Sequence, residues 1–332
     1  MSNTALLLDS VFERHDPGPG HPESVARYKE ISKVLKGSDY FKKCKKIKIR
    51  KATDSEILGC HTDKYLEIVK TEIGEGKSEL STGDTSICRD SLEVATYATG
   101  SVLEAIDLVL KGESKNGFCA IRPPGHHATA DRGMGFCIFN NVAVAAKYAQ
   151  IKFGLDRVAI IDWDVHHGNG TQDIFYNDQS VFYFSTHQSP WYPGTGAVNE
   201  TGEGKGEGST MNRPLPSGSG FKQIGSCFRE DFSTAMKKLK TDIILISAGF
   251  DSRVGDPLGQ FTLTDNEFTE LTKILLDIAY EHCEGRLVSM LEGGYNVAGL
   301  ASAVKSHLGQ LITAYRNKFD IDLIKGAYIF RY

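Results

Sequence analysis

Paired cysteines are missing from this chain, and so is any long apolar run. The 332 residues include seven cysteines, an odd number, and no two of them form a CxxC pair. Disulfide frameworks and multi-thiolate zinc sites depend on such pairing, so reduced thiols in a cytoplasmic or, in a eukaryote, nuclear setting are expected. No apolar stretch approaches the roughly 20 residues that cross a bilayer. The opening Met1–Leu8 has no basic region and only a short apolar one, so a secretory signal is not expected. Positive charge is not in excess either. The formal net charge of −4 leaves no electrostatic footprint for nucleic acid. The run from Lys42 to Lys46 and the pair Lys237–Lys238 read as solvated surface.

What the chain does have is an alternation of short β-type runs with helical patterns. Strands are expected at Ala5–Leu8, Lys46–Ile49, Phe118–Ile121, Val158–Asp162, Val181–Ser185, Met211–Leu215, Ile243–Ser247 and Leu287–Leu291. Helices are expected at Pro22–Leu35, Ser91–Lys111, Asn140–Phe153, Phe221–Leu239, Thr264–Cys283 and Val297–Tyr315. The strands are continuously apolar, as in Ile243-Ile244-Leu245-Ile246, which suits a sheet covered on both faces. The pattern predicts one three-layer α/β domain with a mostly parallel sheet. Ligands of such sheets bind at the carboxyl ends of the strands.

Metal-type residues fall at those ends. Asp162, Asp164 and His166 follow the Val158–Asp162 strand at alternating positions, which on an extended segment places them on one face. A catalytic metal takes about three protein ligands, and Asp251, just after the Ile243–Ser247 strand, is the best candidate for the third. The residue types suit zinc, iron(II) or cobalt. The adjacent His126 and His127 supply two groups for acid–base work on a metal-activated water, with Asp162 and Asn169 as candidate partners. The turn Glu292-Gly293-Gly294-Tyr295 brings backbone close to a ligand and offers a phenol as oxyanion donor. Aromatic residues held in Gly/Pro loops, Gly133–Cys137 and Ser189–Gly196, are candidate pocket walls. The glycine-rich stretch Asn199–Thr210 reads as a surface loop near the mouth of the site, since it lacks the Lys-Ser/Thr ending and helix of a phosphate loop.

Together these segments resemble the histone deacetylase family, including its bacterial amidohydrolase and acetylpolyamine amidohydrolase members. The motifs are Arg122–His127, Gly135–Cys137, Asp162–Thr171, Pro193–Gly196, Ala248–Asp251 and Glu292–Tyr295, with His21-Pro22-Glu23 and Arg27 near the start. The similarity runs from about Asp9 to Leu311 and its wording is nearest to the class II branch. The resemblance implies an arginase/deacetylase-like α/β fold with a central eight-stranded sheet, here one catalytic domain over residues 1–332. It implies hydrolysis of an acetyl or other acyl group from lysine in a protein or peptide, and binding of hydroxamate inhibitors. It also implies one catalytic Zn2+ on Asp164, His166 and Asp251, with His127 as base, His126 beside it, and Tyr295 polarising the carbonyl. Phe136 and Tyr192 would flank the lysine stem, the Gly135 carbonyl would meet the substrate amide, and Asp84 would hold substrate at the rim. A structural K+ is implied at Asp162, Asp164, His166, Ser185 and Thr186, and a second at Phe175, Asp178 and Val181.

Asn169 stands where class I relatives have Asp; an amide orients a histidine but adds no charge. Leu258 stands where a polyamine-selective relative carries a carboxylate, which favours acyl-lysine over acetylpolyamine, the alternative substrate. A two-manganese ureohydrolase would need Asp-x-Asp where Asp251-Ser252-Arg253 stands. A catalytically inactive acyl-lysine binder is disfavoured because every expected catalytic position is filled.

Overall fold

The structure, a computed structural model, describes residues 3–329, with side chains described as far as Thr313. Eight parallel strands form one sheet: β1 (Thr4–Leu7), β2 (Lys45–Lys46), β3 (Asn116–Cys119), β4 (Val158–Asp162), β5 (Val181–Gln188), β6 (Thr210–Leu215), β7 (Ile243–Ala248) and β8 (Leu287–Leu291), in the order β2-β1-β3-β8-β7-β4-β5-β6. Every residue of the central strands β3, β8, β7 and β4 is buried, as the unbroken apolar runs require. Helices cover the sheet, among them Val25–Lys36, Ser91–Leu110, Asn141–Phe153, Asp265–Cys283 and Val297–Ile329. This is the arginase/deacetylase-like architecture.

The order of strands explains where the site lies. The four segments that carry metal-type and proton-transfer residues follow β3, β8, β7 and β4, which are neighbours at the centre of the sheet. Their carboxyl ends therefore deliver residues far apart in sequence to one place.

Some expectations are corrected. The second strand is only Lys45–Lys46, not Lys46–Ile49, because it lies at an edge and pairs with β1 over two residues. The helix Asp63–Gly74 was not anticipated. Its mixed charge obscured the buried stripe of Tyr65, Leu66, Val69 and Ile73, although Thr62 caps it by accepting the Tyr65 N–H. The expected helix Phe221–Leu239 is α-helical at Phe221–Ser226 and Ser233–Leu239, with a π-helical turn at Cys227–Phe232. Ile224, Phe228, Phe232 and Met236 are all buried at intervals of four. In a regular α-helix that spacing drifts by about 40° per step, and the wider turn takes up the drift so that all four face the core. The loop Asn199–Thr210 contributes no residue to the lining of the cavity at the strand ends. It packs against Tyr176–Asp178, with Glu203 donating its N–H to the Tyr176 carbonyl. Among the described residues no helix is long and apolar enough to cross a membrane.

Candidate active site

The chain leaves β4 at Asp162 and turns rather than staying extended, so strand alternation is not what positions the residues after it. Side chains brace the turn instead. Asp162 Oδ1 accepts the Asp164 N–H at 3.1 Å, and Asp164 Oδ1 accepts the His166 N–H at 2.9 Å. Asp162 consequently points to His126, whereas Asp164 and His166 meet Asp251 from the end of β7.

Asp164, His166 and Asp251 are buried, and one ligand-type atom from each lies within 4.8 Å of the others. His166 Nδ1 is 3.0 Å from Asp164 Oδ1 and 3.2 Å from Asp251 Oδ2. Asp251 Oδ1 accepts the Val165 N–H, while Asp251 Oδ2 is buried without a hydrogen bond. Burial and the adjacent charge of Asp164 push the Asp251 carboxyl upward. Two carboxylates and an imidazole crowded away from water need a cation to neutralise them, so this set fits a divalent metal. Gly249 and Gly293 make room for it: a Cβ at Gly249 would lie 2.0 Å from Asp164 Oδ2, and one at Gly293 would lie 2.0 Å from Asp251 Oδ2.

The two histidines after β3 sit in opposite electrical environments. His126 Nδ1 is 2.9 Å from Asp162 Oδ2, which also accepts the Tyr183 hydroxyl at 3.2 Å. Burial opposes its charge, but Asp162 and Asp164 outweigh that and lift His126 to about 10. His127 Nδ1 is 2.9 Å from Asn169 Oδ1. Burial, then the charges of His126 and His166, hold His127 well below the ordinary histidine value. A carbonyl oxygen only accepts, so His127 carries its proton on Nδ1 and leaves Nε2 bare. The Asn169 amide is kept in this sense by Met134, whose sulfur accepts from Nδ2 at 3.5 Å.

A cavity of about 260 Å³ opens beside these groups. Its lining includes Phe136, Trp191, Tyr192 and Leu258 as walls, Asp84 and Gly135, and His127, His166 and Tyr295. Asp84 Oδ1 accepts the Gly135 N–H at 2.7 Å and the Tyr192 hydroxyl at 3.2 Å. Gly135 and Phe136 both have left-handed backbones, with φ of 55° and 67°. That conformation costs Phe136 on the order of 1 kcal/mol and is held by its surroundings. Gly135 has no alternative: a Cβ there would be 2.3 Å from the His127 ring. The Tyr295 hydroxyl has no hydrogen-bond partner among the described residues, and burial keeps it protonated well above the usual phenol value.

Ser185 and Thr186 lie on β5, with Ser185 paired in register to Asp162. Phe175, Asp178 and Val181 lie together further back, where Lys147 pairs with Asp178 and stands 5.3 Å from the centre of the Phe175 ring.

Sequence reasoning missed several structural partners. Glu292 is buried and joins three strand ends: Oε2 accepts the Gly125 N–H at 2.6 Å and the His126 N–H at 3.2 Å, and Oε1 accepts the Ser247 hydroxyl at 3.0 Å. Behind it, buried Glu23 pairs with both Arg27 and Arg122, and Arg27 donates to the carbonyls of Glu292 and Gly294 at 2.6 Å each. The i,i+4 spacing of Glu23 and Arg27 was the available signal. Glu292 stood in the Glu292–Tyr295 motif, but nothing in sequence showed which backbone groups its carboxylate would hold.

A central-strand site that combines a carboxylate–imidazole metal triad with two differently tuned histidines is the equipment of a metal-dependent hydrolase. The histone deacetylase domain model matches residues 21–311. A probable deacetylase of Archaeoglobus fulgidus is 38% identical over 324 residues, covering 97% of this chain and 88% of that protein. The polyamine deacetylase HDAC10 of Danio rerio is 35% identical over 323 residues, covering 91% of this chain and 46% of that protein. The crystal structure of the HDA15 HD domain superposes with a TM-score of 0.89 at 36% identity, covering 94% of this chain and 89% of that one. The chain belongs to the histone deacetylase family.

Proposed function

We propose that this protein is a zinc-dependent amidohydrolase that removes acetyl groups from lysine side chains of proteins or peptides. The observation that carries the reading is the cavity that brings aromatic walls, His127, His166 and Tyr295 together. Among the described residues Asp84 is the one carboxylate in its lining, and its Oδ1 is already engaged by Gly135 and Tyr192. At the wall position Leu258 the apolar side chain offers no counter-charge to a distal ammonium such as that of an acetylpolyamine.

Asp164, His166 and Asp251 would hold the zinc ion, which when bound supplies the Lewis acidity that polarises the acyl carbonyl and acidifies a water. His127 accepts the proton of the attacking water on Nε2, with Asn169 fixing the tautomer. The positive charge on His126, sustained by Asp162, keeps His127 neutral and ready for that role. The water oxygen bonds to the acyl carbon, and Tyr295 donates its hydroxyl to the carbonyl oxygen as negative charge builds there. The acyl carbon–nitrogen bond then breaks, and His127 returns its proton to the departing amine.

A potassium ion is proposed at the carbonyls of Asp162, Asp164, His166 and Thr186, the Asp162 carboxylate and the Ser185 hydroxyl. No backbone hydrogen bond to the Asp164 or His166 carbonyl is present among the described residues, which leaves both oxygens for a cation. His187 Nε2 lies 3.0 Å from the Gly196 carbonyl, so it carries the proton; Nδ1 then accepts the Ser185 hydroxyl at 2.9 Å, turning the Ser185 lone pairs outward. A second cation would sit at Phe175, Asp178 and Val181, where Lys147 already pairs with Asp178 and supplies positive charge.

The test is kcat/KM of zinc-loaded protein on an acetyl-lysine peptide against acetylated putrescine and spermidine, with a hydroxamate control. Preference for the peptide, abolished by the hydroxamate, is expected. Preference for the polyamines would keep the metal chemistry and overturn the substrate. Tyr295→Phe should lower kcat by about 100-fold, the usual effect of losing one oxyanion donor; an undiminished rate removes that assignment.

A further inference from the structure

One buried carboxylate beside the cavity has no part in the chemistry above. Asp256 lies in the turn between Asp251 and Leu258 and is 8% exposed. Its two oxygens hold different loops. Oδ1 accepts the Leu258 N–H at 2.9 Å, on the cavity wall. Oδ2 accepts the Tyr295 N–H at 2.6 Å and the Asn296 N–H at 3.1 Å. Asn296 returns the contact, donating Nδ2 to the Gly255 carbonyl at 3.0 Å. The clamp extends to a third wall, because Trp191 Nε1 donates to the Leu258 carbonyl at 2.9 Å.

The need for such a clamp follows from the sequence around Tyr295. The two residues before it are Gly293 and Gly294, and Gly294 has a φ of 123°, so the chain itself restrains Tyr295 weakly. Arg27 holds the carbonyls of Glu292 and Gly294 from behind. Nothing in that contact holds the N–H groups of Tyr295 and Asn296, which are fixed by Asp256.

We propose that Asp256 is a positioning residue for deacylation: one carboxylate fixes the backbone that carries the Tyr295 hydroxyl and the wall residue Leu258 together, so that the oxyanion donor and the cavity keep one geometry. The inference rests on the reading of Tyr295 given above. Asp256→Asn is the sharpest perturbation. An amide of the same shape has one accepting oxygen, and its other atom is a donor that would face an N–H, so one of the two loops must be released.

The experiment is a double-mutant cycle on an acetyl-lysine peptide with zinc-loaded wild type, Asp256→Asn, Tyr295→Phe and the double variant, with zinc content and melting temperature checked for each. Asp256→Asn is expected to lower kcat by about 10- to 100-fold, the scale of a misplacement near 1 Å. In the Tyr295→Phe background the same change should cost less than about threefold, because no hydroxyl remains to be misplaced. Losses that multiply in full, a loss confined to KM, or a folded Asp256→Asn with wild-type kcat would overturn the role of Asp256 alone. A full rate in Tyr295→Phe would overturn the reading of Tyr295 and this inference with it. Should Asp256→Asn not fold, Asp256→Glu enters the same cycle, keeping both oxygens but displacing them by one methylene.

Discussion

Gly293→Ala should dismantle the metal triad while leaving the fold in place. Gly293 is not among the residues with positive φ, so alanine meets no backbone strain and the effect is purely one of space. The added carbon would lie 2.0 Å from Asp251 Oδ2 and 2.6 Å from Asp164 Oδ2, where real contacts stay above 3.0 Å. Both atoms belong to buried side chains at the end of the central strands, so neither can swing out to solvent. Asp251 Oδ2 must retreat by about 1 Å, several times the roughly 0.2 Å that a metal–ligand distance tolerates. Changes that only reorient a ligand cost about 10- to 100-fold in metal affinity, so displacing one outright should cost about 100-fold or more. Competition with a chromophoric chelator measures the zinc affinity, and circular dichroism checks that the variant is folded. A folded Gly293→Ala that binds zinc within about threefold of wild type would refute the assignment of this cradle.

Two further predictions draw on titrating groups away from the triad. Glu23→Gln should destabilise the protein by about 3–5 kcal/mol at pH 7, because it leaves Arg27 and Arg122 buried without their counter-charge. Despite burial, Arg122, His15 and Arg27 hold the Glu23 carboxyl far below its ordinary value. Its contribution is therefore present in full above the unfolded carboxyl value near 4.3 and drains away as pH falls towards the depressed folded value. Melting curves of the two proteins should converge below about pH 4.3, and a constant gap would contradict this. Cys88 should be the thiol that iodoacetamide modifies first. Burial opposes its ionisation, but His15 and Ser91 outweigh it and bring Cys88 to about 6, whereas burial pushes Cys60 and Cys283 up to about 12. Peptide mass spectrometry across pH 5–9 should find its alkylation nearly level above pH 7; modification that keeps rising to pH 9 would count against it.

Much of this was legible in the sequence because parallel strands buried on both faces must be unbroken apolar runs. β4, β6, β7 and β8 stand within a residue or two of where the sequence placed them. β5 runs on to Gln188 because the polar Ser185, Thr186 and His187 are buried behind the site. The strand-end rule located Asp164, His166 and Asp251, His126 and His127, and Tyr295 without knowledge of their contacts. What could not be read were side chains that serve the backbone. Asp256 and Glu292 act on N–H groups across gaps of about 40 and 170 residues, as the spans from Asp256 to Tyr295 and from Gly125 to Glu292 make plain. Local pattern carries no trace of such bonds. The π-helical turn was hidden for a related reason: only the packing of Phe228 and Phe232 against Phe184 reveals why the helix must widen.

The central claim, a hydrolytic centre built on Asp164, His166 and Asp251, is tested most directly by metal titration. Protein stripped with a chelator is restored stepwise with zinc, and acetate release from an acetyl-lysine peptide is followed at each step for wild type and Asp251→Ala. The account predicts activity that rises in proportion to zinc up to one ion per chain in wild type and stays absent in a folded Asp251→Ala. Activity that survives chelation, or full recovery in Asp251→Ala, would contradict it.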